Sequence, residues 1–345
     1  MPVITPSKTP MPHAEAAERA KTFGEVNFGY DLARAAEEAD RCLRCQDPTC
    51  ETGCPVNVPI REVIHLVSQR RFDDALALIK RFNSLPGVCG RVCPQENQCE
   101  GRCHLGDRFG PVGIGYIERF LADWERVHGP QPAHRAEPKG QKVAIVGSGP
   151  SGLTAAGDLN HLGYDVTIFE ALHAAGGVLR YGIPEFRLPK DVLDAEIDSL
   201  VQSGVDVRCN VVLGKTVTLD QLMDEMGYEA VFVGTGAGLP RFMNLPGENL
   251  NGIYSANEFL TRINLMGAYR FPDYDTPVKS GRRVAVIGAG NTAMDAARCA
   301  MRAGSEEVTV VYRRSEAEMT ARVEEYHHAI EEGVQFKWLN NPIEF

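Results

Sequence analysis

Between residues 59 and 83 the sequence PIREVIHLVSQRRFDDALALIKRFN places apolar residues at Val63, Ile64, Val67 and Phe72, then at Ala75, Leu76 and Ile79. That spacing predicts two short amphipathic helices. From residue 142 the pattern changes. KVAIVGSGPSGLTAAGDLNHLGYDVTIFE opens on a strand, Val143–Val146, and breaks at glycines. It resumes with helical period at Leu153, Ala156, Leu159 and Leu162, then closes on a second strand, VTIF, that ends in Glu170. Residues 282–314, RRVAVIGAGNTAMDAARCAMRAGSEEVTVVYRR, repeat that strand–helix–strand order, with Met294, Ala297 and Met301 as a core stripe. Between the helical and the α/β parts, residues 126–141 (RVHGPQPAHRAEPKGQ) are polar and rich in Pro and Gly and read as a linker. The expected layout is a helical domain over residues 1–128 and a linker over 129–141. Two Rossmann-like units follow, over 142–255 and 256–345.

Composition narrows the class. With 43% apolar and 24% charged residues in 345, the chain is an ordinary globular protein. A net charge of −10 argues against a nucleic-acid partner, which would need a basic face. No run approaches the apolar length of a membrane span, and the N-terminus has no signal-peptide core, so a cytoplasmic location is expected. In that reducing compartment ten cysteines are not expected to form disulfides.

Eight of those cysteines lie between residues 42 and 103. They run Cys42-x2-Cys45-x4-Cys50-x3-Cys54-Pro, then Cys89-x3-Cys93-Pro-x4-Cys99-x3-Cys103, on either side of the two predicted helices. Short steps of this kind let several thiolates converge on one centre, and Cys-Pro punctuation suits iron–sulfur clusters. Eight thiolates would also serve two tetrahedral zinc sites, although zinc sites usually come as separated C-x2-C pairs. Cys209, in the strand-like VDVRC, and Cys299, in a helical run, read as buried small apolar residues.

The two strand–helix–strand units carry dinucleotide fingerprints in their full context. In the first, Gly147 permits the tight turn, Gly149 lets backbone approach a pyrophosphate, and Gly152 lets helix and strand pack closely. Glu170, at the end of the second strand, suits hydrogen bonds from the ribose of FAD or NAD and repels a 2′-phosphate. In the second, Gly288-Ala289-Gly290-Asn291-Thr292-Ala293 puts alanine in the third glycine's place. Its second strand ends in Arg313 and Arg314, where guanidinium groups would pair with the 2′-phosphate of NADP(H). Arg322, placed on the following helix, is a third cation for that role. Two solvated arginines at a strand end are the plainer account.

Together, CLRCQDPTCETGCPVNVPI, NSLPGVCGRVCPQENQCEGRC, GPVGIGYIERFLADW, GGVLRYGIPEFRLPK and VIGAGNTAMDAARCAMRAG resemble the small (beta) subunit of NADPH-dependent glutamate synthase. The same superfamily includes the NADPH-side subunit of the bifurcating ferredoxin:NADP oxidoreductase and the N-terminal half of dihydropyrimidine dehydrogenase. The resemblance runs from about residue 18 to the end. It implies an α-helical domain with two 4Fe–4S clusters, followed by α/β units of glutathione-reductase type. One cluster would be held by Cys42, Cys45, Cys50 and Cys103, the other by Cys54, Cys93, Cys99 and Glu118, with Cys89 a bystander. Cysteine counting alone would give two all-cysteine clusters, and would leave Glu118 a surface acid paired with Arg119 or Arg126.

The resemblance also lines the flavin pyrophosphate with Gly147, Gly149, Pro150, Ser151 and Gly152, and passes Gly176, Gly177, Val178 and Leu179 under the flavin. Arg187 becomes a polar contact near it, with an ion pair to Glu185 as the alternative. Val212 would touch adenine through its backbone, and Thr235-Gly236 would mark the crossover to the nicotinamide domain. Flavoproteins of this type close the FAD site with a C-terminal Gly-Asp strand. This sequence stops at Phe345 without one, which reads as a C-terminal truncation and leads to an expectation of weak FAD binding.

No acid–base pair or nucleophile stands out, as expected where cofactors carry the reaction. His327-His328 reads as a solvated face, and His104 as a neighbour able to tune a cluster. The expected function is electron transfer from NADPH through FAD and two clusters to a partner, foremost the glutamate synthase large (alpha) subunit. The alternatives are the NADP-side subunit of a bifurcating oxidoreductase or sulfide dehydrogenase, and a non-catalytic electron-transfer adaptor.

Overall fold

A computed structural model describes residues 5–129 and 135–345. The predicted linker lies partly outside this set, at 130–134, and its first residues, 126–128, belong to a helix instead. The chain divides into two compact units: Met1–His13, Asn27–Gly176 and Lys190–Thr235 form one, and Ala14–Val26, Gly177–Pro189 and Gly236–Phe345 the other.

The first unit joins a helical layer to a parallel sheet. Both helices expected between residues 59 and 83 are present, at Ile60–Ser68 and Phe72–Lys80. Val63, Ile64, Val67, Phe72, Ala75, Leu76 and Ile79 all face one core. Ile117, Phe120 and Leu121 of the Ile114–His128 helix complete it. That helix crosses the short helix Pro86–Val92 at Gly90, where an added Cβ would lie 2.5 Å from the Arg119 amide nitrogen. Only glycine permits so close an approach of two backbones.

The sheet of this unit orders its strands β3–β2–β1–β4, all parallel, from β1 (Lys142–Val146), β2 (Asp165–Phe169), β3 (Asp206–Arg208) and β4 (Ala230–Val233). The Pro150–His161 helix connects β1 to β2 and buries Leu153 and Ala156. Leu162 departs from the expected stripe. It lies beyond the last helical turn and is 54% exposed, and the buried face continues through Gly157 and Asn160. Asn160 is accommodated because its amide donates to Ser203 Oγ at 2.8 Å.

The second unit holds a parallel sheet ordered β5–β6–β7, from β5 (Arg283–Ile287), β6 (Glu307–Tyr312) and β7 (Gln335–Trp338). The Asn291–Arg302 helix follows β5, and the Val323–Glu331 helix follows β6. Met294, Ala297 and Cys299 are buried as expected, and Met301 packs at the margin. Cys209 corrects its expectation: it lies just past β3 and is only partly buried.

The same unit contains a core of charge that the apolar stripe did not announce. Glu332 receives Arg298 at 2.7 Å and Arg302 at 2.6 Å, while Arg19 Nε reaches it at 3.1 Å. Arg298 also pairs with Glu325, and Arg187 grips Asp295 with both of its carboxylate oxygens within 2.9 Å. The Phe186 ring makes cation–π contacts with Arg302 at 4.0 Å and Arg298 at 4.5 Å. His328 belongs to this core and is buried, whereas His327 is exposed, so the solvated-face reading fails for His328. Burial, with the positive charge of Arg298, lowers His328 to about 4 and keeps it neutral.

Candidate functional site

The cysteine segment folds around two separate cavities. The first, about 400 Å³ including its mouth, is lined by Cys42, Cys45, Cys50 and Cys103. Ile64, Val112 and Ile114 supply apolar walls, and His104 and Arg61 stand at its edge. Its rim is set by local backbone: Arg44, between two cysteines, takes a left-handed φ of 51°, and Arg61 Nη1 holds the Cys45 carbonyl at 3.1 Å. The second cavity, about 690 Å³, is lined by Cys54, Cys93, Cys99 and Glu118, and also by Cys89 and Asn83.

Each expected ligand set therefore meets within one cavity, although its members come from opposite ends of the segment. Cys103 comes from beyond the central helices to join Cys42, Cys45 and Cys50. Cys54 crosses the other way to join Cys93 and Cys99. Glu118 does not pair with Arg119 or Arg126. Arg126 instead pairs with Asp191 at 2.6 Å, and Arg119 donates to the Asn27 carbonyl at 2.7 Å. The Glu118 carboxylate accepts from Asn83 Nδ2 at 2.8 Å, in the wall of the second cavity.

The donors fit a polynuclear cluster better than a lone ion. Tetrahedral zinc with Zn–S of about 2.3 Å would hold its thiolates roughly 4 Å apart. Among the described residues no three His, Cys, Asp or Glu side chains gather closely enough for a single metal ion. Thiols spread around the wall of a larger apolar cavity suit a body of several irons. Their protonation agrees with a site that needs a cation. Burial pushes Cys50 up to about 12, helped by Cys103 and Cys42, and burial raises Cys42 and Cys99. Glu118 is lifted to about 8 by burial and by the neighbouring Cys93, against the hydrogen bond from Asn83. Ligation would have to displace these protons.

The first nucleotide turn is built as its glycines require. Gly147 takes φ +102°, and an added Cβ there would lie 2.5 Å from the Gly234 carbonyl oxygen. At Gly152 a Cβ would sit 1.9 Å from the Gly147 carbonyl oxygen, so the helix packs directly on the turn. Gly149 faces open space, and Pro150 begins the helix, where a missing N–H costs nothing. Ser151 follows in the first helical turn. Glu170 is buried and already bonded within the protein: Ser148 donates through N at 2.9 Å and through Oγ, and Leu172 N donates at 2.8 Å. A carboxylate has about four acceptor positions, so a further donor can be received.

Val212 also departs from expectation. Its N–H donates to Thr216 Oγ1 at 2.7 Å, and its carbonyl accepts from Lys215 and Thr216 N–H groups. That turn occupies its backbone groups and leaves the side chain, 39% exposed, as the part a ligand could touch. Thr235 and Gly236 follow β4 at the point where the chain passes from the first unit to the second.

Gly177, Val178 and Leu179 lie in the second unit, where Gly177 takes φ +51° ahead of the Val178–Tyr181 turn. Leu179 is buried and Val178 exposed. Arg187 is neither exposed nor bound as expected: Asp295, not Glu185, receives its guanidinium.

The second nucleotide turn repeats the first, with Gly288 at φ +118° and Gly290 capping the Asn291–Arg302 helix. Ala293 replaces a glycine because the packing is looser: a Cβ on Gly288 would meet the Ala293 Cβ only at 4.0 Å. Ala289 is buried, Thr292 lies in the first turn of the helix, and Asn291 Oδ1 accepts the Arg322 N–H at 2.9 Å. Arg322 is not on the next helix but caps it. It is buried, with its guanidinium 3.2 Å from Glu324. Arg313 and Arg314 follow β6 and are exposed, and among the described residues no acid pairs with either.

Three positions that shape these sites were not singled out from the sequence: Gly90, Asn83 and Ser148. Asn83 lies beyond the Phe72–Lys80 helix, and only the tertiary fold turns its amide toward Glu118. Among the described residues no helix is long and apolar enough to cross a membrane.

Comparison with known proteins finds a family match for each of two parts of the chain. Residues 19–130 match the family described as dihydropyrimidine dehydrogenase domain II, 4Fe–4S cluster, and residues 141–345 match pyridine nucleotide-disulphide oxidoreductase. The small chain of NADPH glutamate synthase from Halomonas elongata is 39% identical over 330 residues, covering 95% of this chain and 70% of its own. The corresponding Escherichia coli chain is 39% identical, with 93% and 68% covered. A subunit of the NAD-dependent dihydropyrimidine dehydrogenase of Salmonella typhimurium is 38% identical, with 88% and 70% covered. The chain therefore belongs to the glutamate synthase small-chain family, in which a 4Fe–4S cluster domain precedes a pyridine nucleotide-disulphide oxidoreductase domain.

Proposed function

We propose that this chain is an NADPH-dependent oxidoreductase that delivers electrons to a partner subunit, the large subunit of a glutamate synthase. The observation that carries the reading is the sorting of eight donors into two cavities: Cys42, Cys45, Cys50 and Cys103 in one, Cys54, Cys93, Cys99 and Glu118 in the other. Two nucleotide turns on the same chain support it. When bound, FAD and the two clusters supply the conversion of a two-electron hydride donor into single electrons.

The chain's own residues bind and orient. Gly147, Gly149 and Gly152 keep side chains away from a pyrophosphate at the first turn. The N-terminus of the Pro150–His161 helix turns its N–H groups toward the phosphates. Ser148 and the Leu172 amide hold the Glu170 carboxylate still for a ribose hydroxyl. At the second turn, Gly288 and Gly290 do the same for the nicotinamide dinucleotide, and Arg313 and Arg314 meet its 2′-phosphate. Ile64, Ile114 and Ile117 wall the cysteine cavities and limit water at them. The chemistry of glutamine and 2-oxoglutarate is assigned to the partner.

The test is anaerobic purification with iron, sulfide and flavin counts, followed by reduction with NADPH or NADH. About eight irons per chain are expected, with flavin bleaching by NADPH faster than by NADH. Colourless protein carrying zinc would overturn the reading, and so would a chain that NADPH leaves oxidised. A chain that holds clusters yet reduces no ferricyanide with NADPH would be the electron-transfer adaptor instead.

A further inference from the structure

The wall of the second cavity contains a polar residue that no ligand set uses. Asn83 is 5% exposed, and its amide is fixed at both ends. Its Oδ1 accepts the Leu85 N–H at 3.0 Å, and Cys89 Sγ approaches the same oxygen at 3.6 Å. With that oxygen occupied, Nδ2 must face the other way, and it donates to Glu118 Oε1 at 2.8 Å. The orientation is thus decided by a backbone donor and does not depend on the carboxylate.

The elements on either side are equally constrained. Asn83 closes the Phe72–Lys80 helix, with its own N–H on the Ile79 carbonyl at 2.9 Å. Glu118 lies in the first half of the Ile114–His128 helix, pressed at Gly90 against the short helix that carries Cys89. Two candidates for a fourth ligand, Glu118 and Cys89, therefore line one cavity, and one amide touches both.

We propose that Asn83 is the positioning residue of the second cluster: its Oδ1, occupied by the Leu85 N–H and the Cys89 thiol, fixes the amide's orientation, and by holding Glu118 Oε1 with Nδ2 it leaves Oε2 for iron. The proposal rests on the reading of Glu118 as a ligand. It extends that reading, because ligand identity and outer hydrogen bonds set a cluster's potential and spectrum.

The experiment uses the full chain, assembled anaerobically, in a cycle of Asn83→Asp, Glu118→Ala and the double variant. Asn83→Asp keeps the acceptor for Leu85 and Cys89 but removes the donor to Glu118. Asn83→Ser serves as the second variant, since a hydroxyl can still cap Leu85 but does not span to Glu118. The readouts are iron per chain, the electron paramagnetic resonance spectrum of each reduced cluster, and each midpoint potential.

In either Asn83 variant we expect the spectrum and potential of one cluster to change, the other cluster to stay as in wild type, and the iron count to fall by up to half. In the Glu118→Ala background the Asn83→Asp change should have no further effect, because the two act through one atom pair. If both Asn83 variants keep the wild-type spectra and potentials while Glu118→Ala alters one cluster, the positioning role is overturned and the ligand reading stands. If Asn83→Asp shifts the cluster equally with and without Glu118, its action does not pass through that carboxylate and the proposal fails. If Glu118→Ala itself changes neither iron nor spectrum, the ligand reading fails first, and the proposal with it.

Discussion

The two nucleotide turns share a backbone and differ in what surrounds it. Gly147 and Gly288 adopt nearly the same conformation, at φ +102° and +118°, and each leads into a helix of 12 residues. The first helix buries Leu153 and Ala156 and leaves Asp158 at the surface. The second buries Asp295, Arg298 and Arg302 beside its alanines. The strands that follow also diverge, toward a buried Glu170 in one case and exposed Arg313 and Arg314 in the other. A fingerprint specifies a turn. It does not specify the chemistry on the far side of the helix or at the next strand's end, and those positions carry the difference between the two sites.

The sharpest way to break this contrast is to remove one charge from the second unit's core. Glu332 serves three arginines, and neutralising it leaves Arg298 and Arg302 buried without a full counter-charge. Glu332→Gln should destabilise this unit by about 3–5 kcal/mol. Asp158→Asn, on the corresponding helix of the first unit, should stay within about 0.5 kcal/mol. The two tryptophans separate the measurements, since Trp124 lies in the first unit and Trp338 in the second. Urea unfolding followed in Trp124→Phe and Trp338→Phe backgrounds reports each unit. Equal losses would mean that the charged core contributes no more than surface polarity.

Acid should act on the two units in opposite directions. Burial works against the charge on Glu332, but the bonds and charges of Arg298 and Arg302 outweigh it and hold the carboxyl at about 2. Its contribution is therefore present above the ordinary value near 4.5 and is lost as pH falls from there toward 2. In the first unit, Glu196 is raised by burial to about 7, against a hydrogen bond from the Gly87 N–H and the charge of Lys80. Its ionised form costs stability, so that cost disappears as pH falls from 7 to 4.5. Glu196→Gln should accordingly stabilise the first unit at pH 8, by at most about 3 kcal/mol, with no gain left below pH 4.5. The Glu332→Gln loss should instead be complete at pH 7 and shrink below pH 4. Parallel pH profiles for the two variants would show that these carboxyls do not titrate as their surroundings dictate.

Packing at the third fingerprint position gives the next largest contrast. Gly152→Ala drives a methyl group to within 1.9 Å of the Gly147 carbonyl oxygen, and backbone must move to admit it. A loss of about 3 kcal/mol is expected, together with loss of FAD retention. Ala293→Gly removes a methyl from a looser contact and should cost only about 1 kcal/mol, chiefly in helix propensity. If Gly152→Ala is as mild as Ala293→Gly, the close helix–strand contact does not define the first site.

Much of this arrangement was legible in the residues. The helices at 60–68 and 72–80, both turns and the strand-end acid and arginines follow from local pattern, because period and glycine placement are local properties. The distribution of cysteines between cavities is not local: Cys54 and Cys103 exchange sides, and only the family resemblance anticipated it. The charged core was missed for a related reason. Asp295, Arg298 and Arg302 look like an ordinary polar face until Glu325 and Glu332 arrive from the body and the C-terminal cap of another helix. Arg187 was misplaced in the same way, since its partner lies more than a hundred residues away in sequence. Val212 shows the converse, a local turn that consumed groups reserved for a ligand.

The smallest expected effect tests the claim that strand ends select the ligand. Arg313 and Arg314 have no acid partner among the described residues, so removing them exposes no buried charge and should leave folding intact. Each charge-assisted bond to a phosphate is worth about 1.5–3 kcal/mol. Arg313→Ala or Arg314→Ala should therefore raise the KM for NADPH by about tenfold, and the double variant by about a hundredfold, with the value for NADH unchanged. The change must appear in KM and spare kcat, because the 2′-phosphate takes no part in hydride transfer. Glu170→Gln, at the matching strand end of the first unit, should lower flavin content and leave the NADPH-to-NADH ratio alone. If the double arginine variant keeps its preference for NADPH, charge at the end of β6 does not choose the nicotinamide. The contrast between the two turns then reduces to the packing of their helices.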